Sequence, residues 1–433
     1  MEFIMENILI KNGKTLIFEN EDVKIDNLDV RIEKGKITEI AQNLNLKEHE
    51  ELIDATDKVV MPGLINTHSH IAMSIFRGTV EDCNLYTWLN EKIWPIEAKL
   101  TEEQIYNASL FSIVEMISTG TTCVSDQYFM TEETRKVAEK LNMRMMIARV
   151  LLDTDGGNLD ERIKEFRKLY ETRNRKNDLI TYSVSAHGLY TCSPKCLEIV
   201  RNLAKEYRLP VQIHFLESID EIEDIKKLHG ERAAKVLKKY FDGINVILAH
   251  GVKLDDEDVD ILKTMDCGIA HNPVSNLRLG CKIADTTKYL RNGINVALGT
   301  DGQGSGNNLD MFEAMRTACL IQGGIHENED RITSRDAIKM ATINGAKLLG
   351  LDDKIGSIEV GKDADIIIVD FSKKLDNITR FPNNDIISNL VYNTSGRDVD
   401  TTMINGKILM KNRQIENVDI NSVIQNVDNI IYR

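Results

Sequence analysis

Two histidines one residue apart end the apolar run Met61–His70, MPGLINTHSH. On a β-strand, residues i and i+2 point to the same face, so His68 and His70 would project together. Neutral imidazole is a common ligand for zinc and iron, and two neighbouring rings can share one ion. An isolated His-x-His motif is more often a surface or hydrogen-bonded pair. The other histidines of the chain decide between these two interpretations.

The chain has nine histidines, and six of them lie at or near the ends of apolar segments typical of buried strands: His68, His70, His187, His214, His250 and His271. The last of these segments ends instead with Asp301, in LGTDG. Packing needs alone do not gather six histidines at such positions, which favours a metal site. His68, His70, one further histidine of this group and Asp301 would supply three nitrogens and one oxygen. That is the composition of a catalytic metal site rather than a closed structural one.

Short apolar, β-branched segments alternate with amphipathic segments from about residue 59 to 301. Helices are predicted between them, for example over 101–118, which opens with the capping-box pattern Thr101-x-x-Gln104, and after Ser193 as N-cap. The eight apolar segments are KVVMPGLINTHSH, TTCVSDQY, MRMMIARVLL, LITYSVSAHG, PVQIHFLES, NVILAHGV, CGIAHNPVSN and INVALGTDG. Eight buried strands alternating with helices predict a parallel sheet closed into a (β/α)8 barrel, whose carboxyl-terminal end holds the active site.

The sequence pattern of the two chain ends differs from that of the barrel region and predicts short strands separated by turn glycines. Neither end alone makes a sufficient core, so one composite β-sandwich domain is predicted from residues 1–58 and 355–433, beside a catalytic barrel of residues 59–354. The predicted fold class is therefore α/β, a TIM-type (β/α)8 barrel with a smaller β-sandwich domain. The glycine-rich segment 302–308, GQGSGNN, lacks the Rossmann spacing and is predicted to be a tight loop rather than a phosphate cradle.

Composition limits the possible partners and location of the protein. The 433 residues include 54 Lys+Arg and 68 Asp+Glu, a net charge of −14, which argues against nucleic acids and anionic membranes as partners. The seven cysteines are scattered and lack a paired zinc-ribbon spacing, so they are expected to be reduced thiols. No basic-then-apolar leader and no bilayer-length apolar run is present, and a cytoplasmic protein is expected.

Five segments taken together resemble the amidohydrolase superfamily and, more narrowly, its methylthioadenosine/S-adenosylhomocysteine deaminase branch, which includes the 5′-deoxyadenosine deaminases. They are PGLINTHSH, HFLES, LAHGV, HNPVSNLRLG and GTDG. The resemblance covers nearly the whole chain, including both terminal segments. One block departs from the family pattern, since HFLES stands where the family reads closer to HLAET. Both functional positions of that block, His214 and Glu217, are kept.

The resemblance implies a set of site residues. Its metal ligands correspond to His68, His70, His214 and Asp301. One divalent metal ion per subunit is expected, Zn²⁺ with Fe²⁺ as the alternative, because no lysine ends the fourth strand to bridge a two-metal site. Glu217 corresponds to the proton-shuttling acid, while Glu97 and His187 correspond to residues that hold the nucleoside. Arg149 lies where related enzymes have an arginine near the substrate, and it would favour a carboxylate tail.

The reaction implied is hydrolytic deamination of adenosine derivatives modified at the 5′ position, with a modest spread among such substrates. A bound divalent metal lowers the pKa of water from 15.7 to about 7. Asp301 could accept the proton of that water, and His250 could hold the attacking oxygen in line. Glu217 could protonate the ring nitrogen beside the attacked carbon. Both Glu217 and Asp301 would contact the substrate, and Glu97 would bind the ribose hydroxyls.

Two alternatives stay open from the sequence. One is another hydrolase with the same metal site, acting on a free base or cyclic amide such as guanine, cytosine or a triazine. The other is a non-catalytic relative, against which the complete ligand set argues. Trp88, Trp94 and Phe76 either wall the substrate pocket or belong to the core. A small-molecule nucleoside is the expected partner, and homo-oligomerisation is expected by analogy with other large barrels.

Overall fold

The computed structural model describes residues 7–20, 22–78, 83–326, 330–372 and 385–431. Within these ranges, a central barrel is accompanied by two smaller sheets built from the ends of the chain. All seven cysteines are free thiols, as the sequence predicts. None of the described helices is long and apolar enough to cross a membrane.

The barrel consists of eight parallel strands that follow one another around the sheet in chain order. They are Leu64–Ser69, Thr121–Tyr128, Arg144–Leu151, Ile180–Gly188, Val211–Phe215, Val246–His250, Cys267–His271 and Asn295–Leu298. The first and last strands also meet, because Thr67 Oγ1 donates to the Leu298 carbonyl at 2.9 Å and the Asp301 amide donates to the His68 carbonyl at 3.0 Å. The barrel is thus nearly closed, and the predicted fold class is confirmed.

Helices follow the barrel strands and cover the outside of the sheet. The predicted capping box joins Thr101 and Gln104, and Ser193 caps its helix as expected, which satisfies amide groups that a helix start leaves free. From residue 102 to the end of the barrel region the helices are Glu102–Ser118, Thr131–Leu141, Leu159–Glu171, Pro194–Tyr207, Ile219–His229, Ala233–Phe241, Asp256–Leu262, Pro273–Arg278, Thr286–Arg291, Gln303–Gly306, Met311–Ile325, Ser334–Ala341 and Ile343–Leu349.

Short helical segments follow the first strand, and further helices lie near the end of the chain. After the first strand come the 3₁₀ helix Ile71–Phe76, Leu85–Thr87, the π-helical turn Trp88–Ile93 and Trp94–Glu97. The last elements outside the sheets are Ile386–Tyr392, the 3₁₀ turn Gly396–Asp398 and Ile420–Ile431. The segment after the first strand lies above the carboxyl-terminal end of the barrel and forms part of the site described below.

The remaining strands form two sheets, of which the seven-stranded one combines strands from both chain ends. The four-stranded sheet has the order Lys36–Ala41, Asp29–Glu33, Asn7–Lys11, Glu50–Asp54. The seven-stranded sheet has the order Gln414–Ile415, Lys407–Lys411, Val399–Ile404, Ile366–Asp370, Lys58–Pro62, Lys14–Glu19, Asp22–Asp26. The exact domain ranges 1–58 with 355–433 and 59–354 stay a prediction.

The apolar run that ends in THSH is two strands rather than the single barrel strand predicted. Lys58–Pro62 pairs antiparallel with a strand from the end of the chain, and only Leu64–Ser69 enters the barrel. Gly63 joins them, and its amide donates to the Asp365 carbonyl at 2.9 Å. A Cβ at Gly63 would lie 2.1 Å from Thr122 Oγ1, so the close crossing of the two sheets requires glycine.

An apolar cluster fills the barrel on the side away from the histidines. Six barrel strands contribute to it, and it packs against the helix Ile343–Leu349 and the turn that follows. The strand residues are Ile65, Cys123, Met146, Ile247, Ala270 and Ala297. The barrel interior is therefore a packed core, and it holds the polar strand ends in fixed positions.

Candidate active site

Four side chains converge at the carboxyl-terminal end of the barrel. They are the four ligands implied by the resemblance, His68, His70, His214 and Asp301. His70 Nε2 lies 3.2 Å from Asp301 Oδ1 and 3.2 Å from His214 Nε2. His68 Nε2 lies 3.6 Å from the same Asp301 oxygen. The first, fifth and eighth strands thus bring residues more than 200 positions apart into one buried cluster.

The donor atoms of this cluster fit a divalent metal ion. His68 Nε2 is buried without a hydrogen-bond partner among the described residues, which is costly unless another group is bound there. His70 Nδ1–H donates to the Gln127 carbonyl at 2.5 Å, and His214 Nδ1–H donates to the His187 carbonyl at 2.6 Å. These bonds select the tautomer in which Nε2 is free to act as a ligand.

Electrostatics in the cluster keep three of the four ligands in the form that binds metal, whereas the pKa of His70, which burial alone would lower, is raised by the Asp301 carboxylate. Burial lowers the pKa of His68 and His214, and repulsion between neighbouring imidazoles lowers it further, so these rings are neutral. Burial alone would raise the pKa of Asp301, but the close approach of the His68 and His70 side chains holds it well below its usual value. Asp301 is therefore a carboxylate at the pH values at which a neutral imidazole can bind a metal ion.

Two serines fix the orientation of Asp301. Ser275 Oγ and Ser305 Oγ donate to Asp301 Oδ2 at 2.6 Å and 2.8 Å, which leaves Oδ1 facing the histidines. Ser305 lies on the one-turn helix Gln303–Gly306, so the predicted tight loop at 302–308 is wrong. Asp301 itself has a left-handed backbone, φ +60°, which re-aims the chain after the last strand. Sequence reasoning missed both serines, although they lie in segments that it quoted.

Glu217 lies beside the cluster and is linked to His250 through Asn276. Glu217 Oε1 is 3.5 Å from His250 Nδ1, and the Asn276 amide donates to both atoms, at 3.3 Å and 2.9 Å. Burial raises the pKa of Glu217 well above its usual value, and the nearby carboxylates of Asp301 and Glu221 act in the same direction. Glu217 is therefore suited to enter a reaction protonated, as an acid. Asn276 is a further residue that sequence reasoning missed.

Glu221 supports the turn that presents Glu217. Its Oε1 accepts the backbone amides of Glu217 and Ser218 at 2.9 Å and 3.0 Å, across the start of the helix Ile219–His229. Burial raises the pKa of Glu221 to about 7. Leu216, just before Glu217, has φ +49°, so this turn departs from ordinary strand geometry. The carboxyl group of Glu221 thus holds a sharp turn in place.

His250 lies within ligand reach of the same cluster. Its ring nitrogens fall within 4.8 Å of ligand atoms of His68 and His214, and within the same limit of Glu217 and Asp301. Burial lowers the pKa of His250 to about 3, so the ring is neutral. Its predicted role of holding the attacking oxygen stays a prediction.

His271, the remaining histidine of the strand-end group, is not part of the cluster. It ends the seventh barrel strand and is buried. Neither of its ring nitrogens has a hydrogen-bond partner among the described residues. Burial lowers the pKa of His271 to about 4, so it is a neutral ring at neutral pH.

A cavity opens from the cluster toward the segment that follows the first strand. Much of the wall is apolar and includes Trp88, Leu89, Ile93, Trp94, Phe129 and Val150. Trp88 and Trp94 thus line the cavity, as one of the two interpretations predicted. Phe76 is not among the residues that line the cavity and belongs to an apolar cluster that also includes Trp88.

Glu97 and His187 both line the cavity. The Tyr128 hydroxyl donates to Glu97 Oε1, and burial raises the pKa of the Glu97 carboxyl. His187 Nδ1 is hydrogen-bonded to Thr191 Oγ1 at 2.9 Å, and burial lowers the pKa of His187 to about 3. The structure therefore places two predicted nucleoside-binding residues on the wall above the histidine cluster.

Arg149 is not among the residues that line the cavity. Its Nε donates to Glu165 Oε2 at 2.7 Å, and its guanidinium carbon lies 5.3 Å from the centre of the Phe129 ring. Arg149 Nη1 also donates to the Val150 carbonyl. Its role near the substrate stays a prediction.

Comparison with known proteins adds to this geometry. The sequence profile described as "Amidohydrolase family" matches residues 59–409. The chain is 41% identical to the 5-methylthioadenosine/S-adenosylhomocysteine deaminase of Thermoanaerobacter pseudethanolicus, over 98% of each chain. It is 39% identical to the 5′-deoxyadenosine deaminase of Methanobrevibacter smithii, over 95% of this chain and 94% of the other. The fold is similar to a crystal structure of a Xanthomonas campestris adenosine deaminase with bound zinc, with a TM-score of 0.92 and 28% identity over 98% of each chain.

Proposed function

The chain belongs to the amidohydrolase family, and from that premise we propose that it catalyses the metal-dependent hydrolytic deamination of 5′-modified adenosines. The products are the corresponding inosine analogues and ammonia. The candidate substrates are 5′-deoxyadenosine, 5′-methylthioadenosine, S-adenosylhomocysteine and adenosine. One observation carries the proposal, namely that Glu217, with its raised pKa, lies beside a buried histidine–aspartate cluster at the base of the cavity.

The histidine–aspartate cluster is proposed to hold one divalent metal ion per subunit, Zn²⁺ with Fe²⁺ as the alternative. The residues proposed as ligands are His68, His70, His214 and Asp301. Three nitrogens and one oxygen are the donor set of a catalytic rather than a structural site, and the unpartnered Nε2 of His68 supports occupancy. When bound, such an ion lowers the pKa of a water molecule from 15.7 to about 7.

Three side chains of the chain itself would move or hold protons. Asp301, kept ionised by its histidine neighbours, can accept the proton of the attacking water. Glu217 can donate its proton to the ring nitrogen beside the attacked carbon, and, then a carboxylate, it can relay the proton taken up by Asp301 to the leaving amine. The neutral ring of His250 can hold the attacking oxygen in line. Each positioned acid or base of this kind is typically worth about 10²–10⁴-fold in rate.

The upper wall of the cavity is proposed to recognise the nucleoside. Glu97 would accept hydrogen bonds from the two ribose hydroxyls, a charge-assisted contact stronger than a neutral one. Tyr128 already donates to one Glu97 oxygen, which fixes the carboxylate. His187, near the end of the fourth barrel strand, would also contact the nucleoside. It lies beside Trp94, whose ring centre is 6.1 Å from that of the histidine.

The Glu97 carboxylate would separate nucleosides from free bases. A free base has no ribose hydroxyls to donate to Glu97, so the buried carboxylate would lose these hydrogen bonds and keep only the one from Tyr128. The fold and the metal ligands alone serve guanine, cytosine or triazine hydrolysis equally well. Glu97 is therefore the residue on which the choice between the two classes depends.

The test is ammonia release from the metal-loaded protein with the four candidate nucleosides, 2′-deoxyadenosine and adenine. Glu97→Ala should lower kcat/KM selectively for the nucleosides, while Tyr128→Phe, which keeps the carboxylate, should have a smaller effect. Equal efficiency on adenine and nucleosides, or no selective loss in Glu97→Ala, would reassign the site to free bases. Ammonia release from none of these compounds would favour a non-catalytic role.

A further inference from the structure

Two side-chain amides approach the same nitrogen of His250. Asn272 immediately precedes the short helix Pro273–Arg278, and Asn276 follows one turn later, its backbone amide donating to the Asn272 carbonyl at 3.1 Å. Residues four apart in such a turn lie on the same side, so both side chains can reach one neighbour. That neighbour is His250 Nδ1, which lies 2.9 Å from Asn276 Nδ2 and 3.4 Å from Asn272 Nδ2.

The orientation of the Asn272 amide follows from its second hydrogen bond. Asn272 Nδ2 also donates to the Ala270 carbonyl at 3.1 Å. Turning this amide over would bring its oxygen against the carbonyl oxygen, two acceptors with no hydrogen between them. Gly299 makes room for the amide, since a Cβ there would lie 2.4 Å from Asn272 Oδ1. The nitrogen of Asn272 therefore faces the ring of His250.

The Asn276 amide takes the corresponding orientation. Its nitrogen has two hydrogens and two acceptors within reach, His250 Nδ1 at 2.9 Å and Glu217 Oε1 at 3.3 Å. Turned over, its oxygen would require a hydrogen on His250 Nδ1, which the hydrogens of the Asn272 amide already face. The oxygens of both amides are buried without a partner among the described residues, so nothing on that side favours the opposite orientation.

The two amide donors decide which nitrogen of His250 carries the hydrogen. A neutral imidazole has one donor nitrogen and one acceptor nitrogen. Glu217 Oε1, which could accept a hydrogen from Nδ1, is 3.5 Å away, farther than either amide nitrogen. His250 Nδ1 is therefore the acceptor, and the hydrogen of the ring is on Nε2.

The histidines proposed as ligands have the opposite kind of partner at Nδ1. In His70 and His214 the Nδ1–H donates to a backbone carbonyl, which leaves the Nε2 lone pair free for a metal ion. His250 is within 4.8 Å of ligand atoms of the same cluster, but a protonated Nε2 has no lone pair to offer. Distance alone thus does not distinguish His250 from the ligands, whereas the partner of Nδ1 does.

We propose that Asn272 and Asn276 are positioning residues that hold His250 in the tautomer with its hydrogen on Nε2. In this tautomer His250 is a hydrogen-bond donor to the attacking oxygen and is excluded from the metal ligands. The inference rests on the proposed function and deepens it, because it assigns a cause to the role of His250. Since Asn276 also donates to Glu217, one amide orients two of the groups that act on the substrate.

The direct test is the tautomer of His250 in the zinc-loaded protein, measured by nitrogen NMR after ¹⁵N labelling of histidine. Protonated, unprotonated and metal-bound ring nitrogens differ in chemical shift, and the signals absent from His250→Asn identify the residue. We expect the hydrogen on Nε2. A hydrogen on Nδ1, or a metal-bound Nε2, would overturn the inference.

Asn276→Leu tests the cause of the tautomer, because leucine has a similar size and no donor. The fraction of His250 with hydrogen on Nδ1 should rise, and kcat should fall about 10–100-fold while KM and metal affinity stay close to those of the wild type. Ser275→Ala, one residue earlier, is the matched control. It removes a hydroxyl donor from Asp301, so it should weaken metal binding and leave the His250 tautomer unchanged.

An unchanged tautomer in Asn276→Leu, or a loss of metal as large as in Ser275→Ala, would contradict the role given to Asn276. The tautomer of the wild type can be measured whether or not this variant folds. The two levels of proposal fail in different ways. If no candidate nucleoside releases ammonia although His250 has its hydrogen on Nε2, the proposed function is wrong. If the nucleosides are deaminated while Nδ1 carries the hydrogen, only the inference about the asparagines is wrong.

Discussion

The two ends of the barrel bury charged side chains in opposite ways. Arg144, the first residue of the third strand, is fully buried and donates to Asp365 at 2.8 Å and 3.0 Å and to Asp363 at 2.9 Å. At the other end, His68 Nε2 is buried without a partner among the described residues, and the pKa of Glu217 is raised well above its usual value. The amino-terminal end of the barrel therefore has its buried charges hydrogen-bonded once the chain folds. The carboxyl-terminal end has buried polar atoms that obtain partners only when further groups bind.

The end of the barrel where Arg144 is paired with acidic residues, the paired end, also joins the barrel to the seven-stranded sheet. Asp363 and Asp365 lead into the strand Ile366–Asp370 of the seven-stranded sheet, so Arg144 ties a barrel strand to that sheet. The Asn405 amide donates to Asp365 Oδ1 at 2.8 Å, which further satisfies this carboxylate. Buried charges that are fully hydrogen-bonded contribute to a unique structure, and they do not contribute to chemistry.

The largest expected effect comes from removing a ligand at the unpaired end. His68→Ala should lose the metal ion and at least about 10⁶-fold of kcat/KM, because the generator of the nucleophile is lost. Its far-ultraviolet circular dichroism should stay close to that of the wild type, since the Arg144 end is untouched. Metal analysis and ammonia release measure both effects. Full metal occupancy in this variant would contradict the ligand assignment.

Glu217→Gln should separate acid catalysis from metal binding. The amide keeps the size of the side chain but cannot carry the proton, so kcat should fall about 10²–10⁴-fold while the metal content stays the same. His250→Asn should likewise keep the metal and lose turnover. Metal analysis and steady-state kinetics distinguish the outcomes, and loss of metal in either variant would make that residue a ligand.

At the paired end, the expected effect is on stability. Arg144→Met leaves the buried Asp365 carboxylate without its cation and Asp363 with Lys36 alone, which should lower the free energy of unfolding by about 3–5 kcal/mol. At temperatures where the variant is folded, kcat should be unchanged within about twofold, because the arginine touches no residue of the cavity. Urea unfolding and kinetics on the same preparation test this. A large fall in kcat without a loss of stability would contradict the contrast between the two ends.

The smallest effect is expected from the serines that orient Asp301. Ser275→Ala should weaken metal affinity about 10–100-fold, because Oδ2 loses one of its two hydroxyl donors and the ligand becomes less well fixed. Ser305→Ala should do the same, and the double variant should lose more than either. Competition with a chelator measures the affinities. An unchanged affinity in the double variant would show that the backbone alone orients Asp301.

The parts of the site at strand ends could be predicted from the sequence. Strand ends in a parallel barrel meet at one rim, so histidines and an aspartate at those ends had to lie close together. Ser275, Asn276 and Ser305 could not be predicted in this way. They lie on one- to two-turn helices after the strands, where the reach of each side chain depends on a backbone path that hydrophobic spacing does not reveal.

Two further differences have physical reasons of the same kind. The residues before THSH are apolar on both sides of Gly63, so the local sequence does not show that the run is divided there. The division follows from the pairing of Lys58–Pro62 with a strand from the end of the chain. The ion pair of Arg149 with Glu165 could not be predicted either, because it joins a barrel strand to the helix that follows and no local sequence pattern indicates it.

The single-residue joint at Gly63 has a consequence for motion. The strand Lys58–Pro62 belongs to the outer sheet, and only one residue later the chain enters the strand that carries His68 and His70. A hinge between the two bodies would swing these histidines away from the others, since no slack separates sheet and ligand. Opening of whole domains, a common way for enzymes to admit substrates, is thus incompatible with an intact site in this chain. Substrate and product must then pass the short helices above the barrel mouth, on which Tyr86 and Ile96 are exposed to solvent.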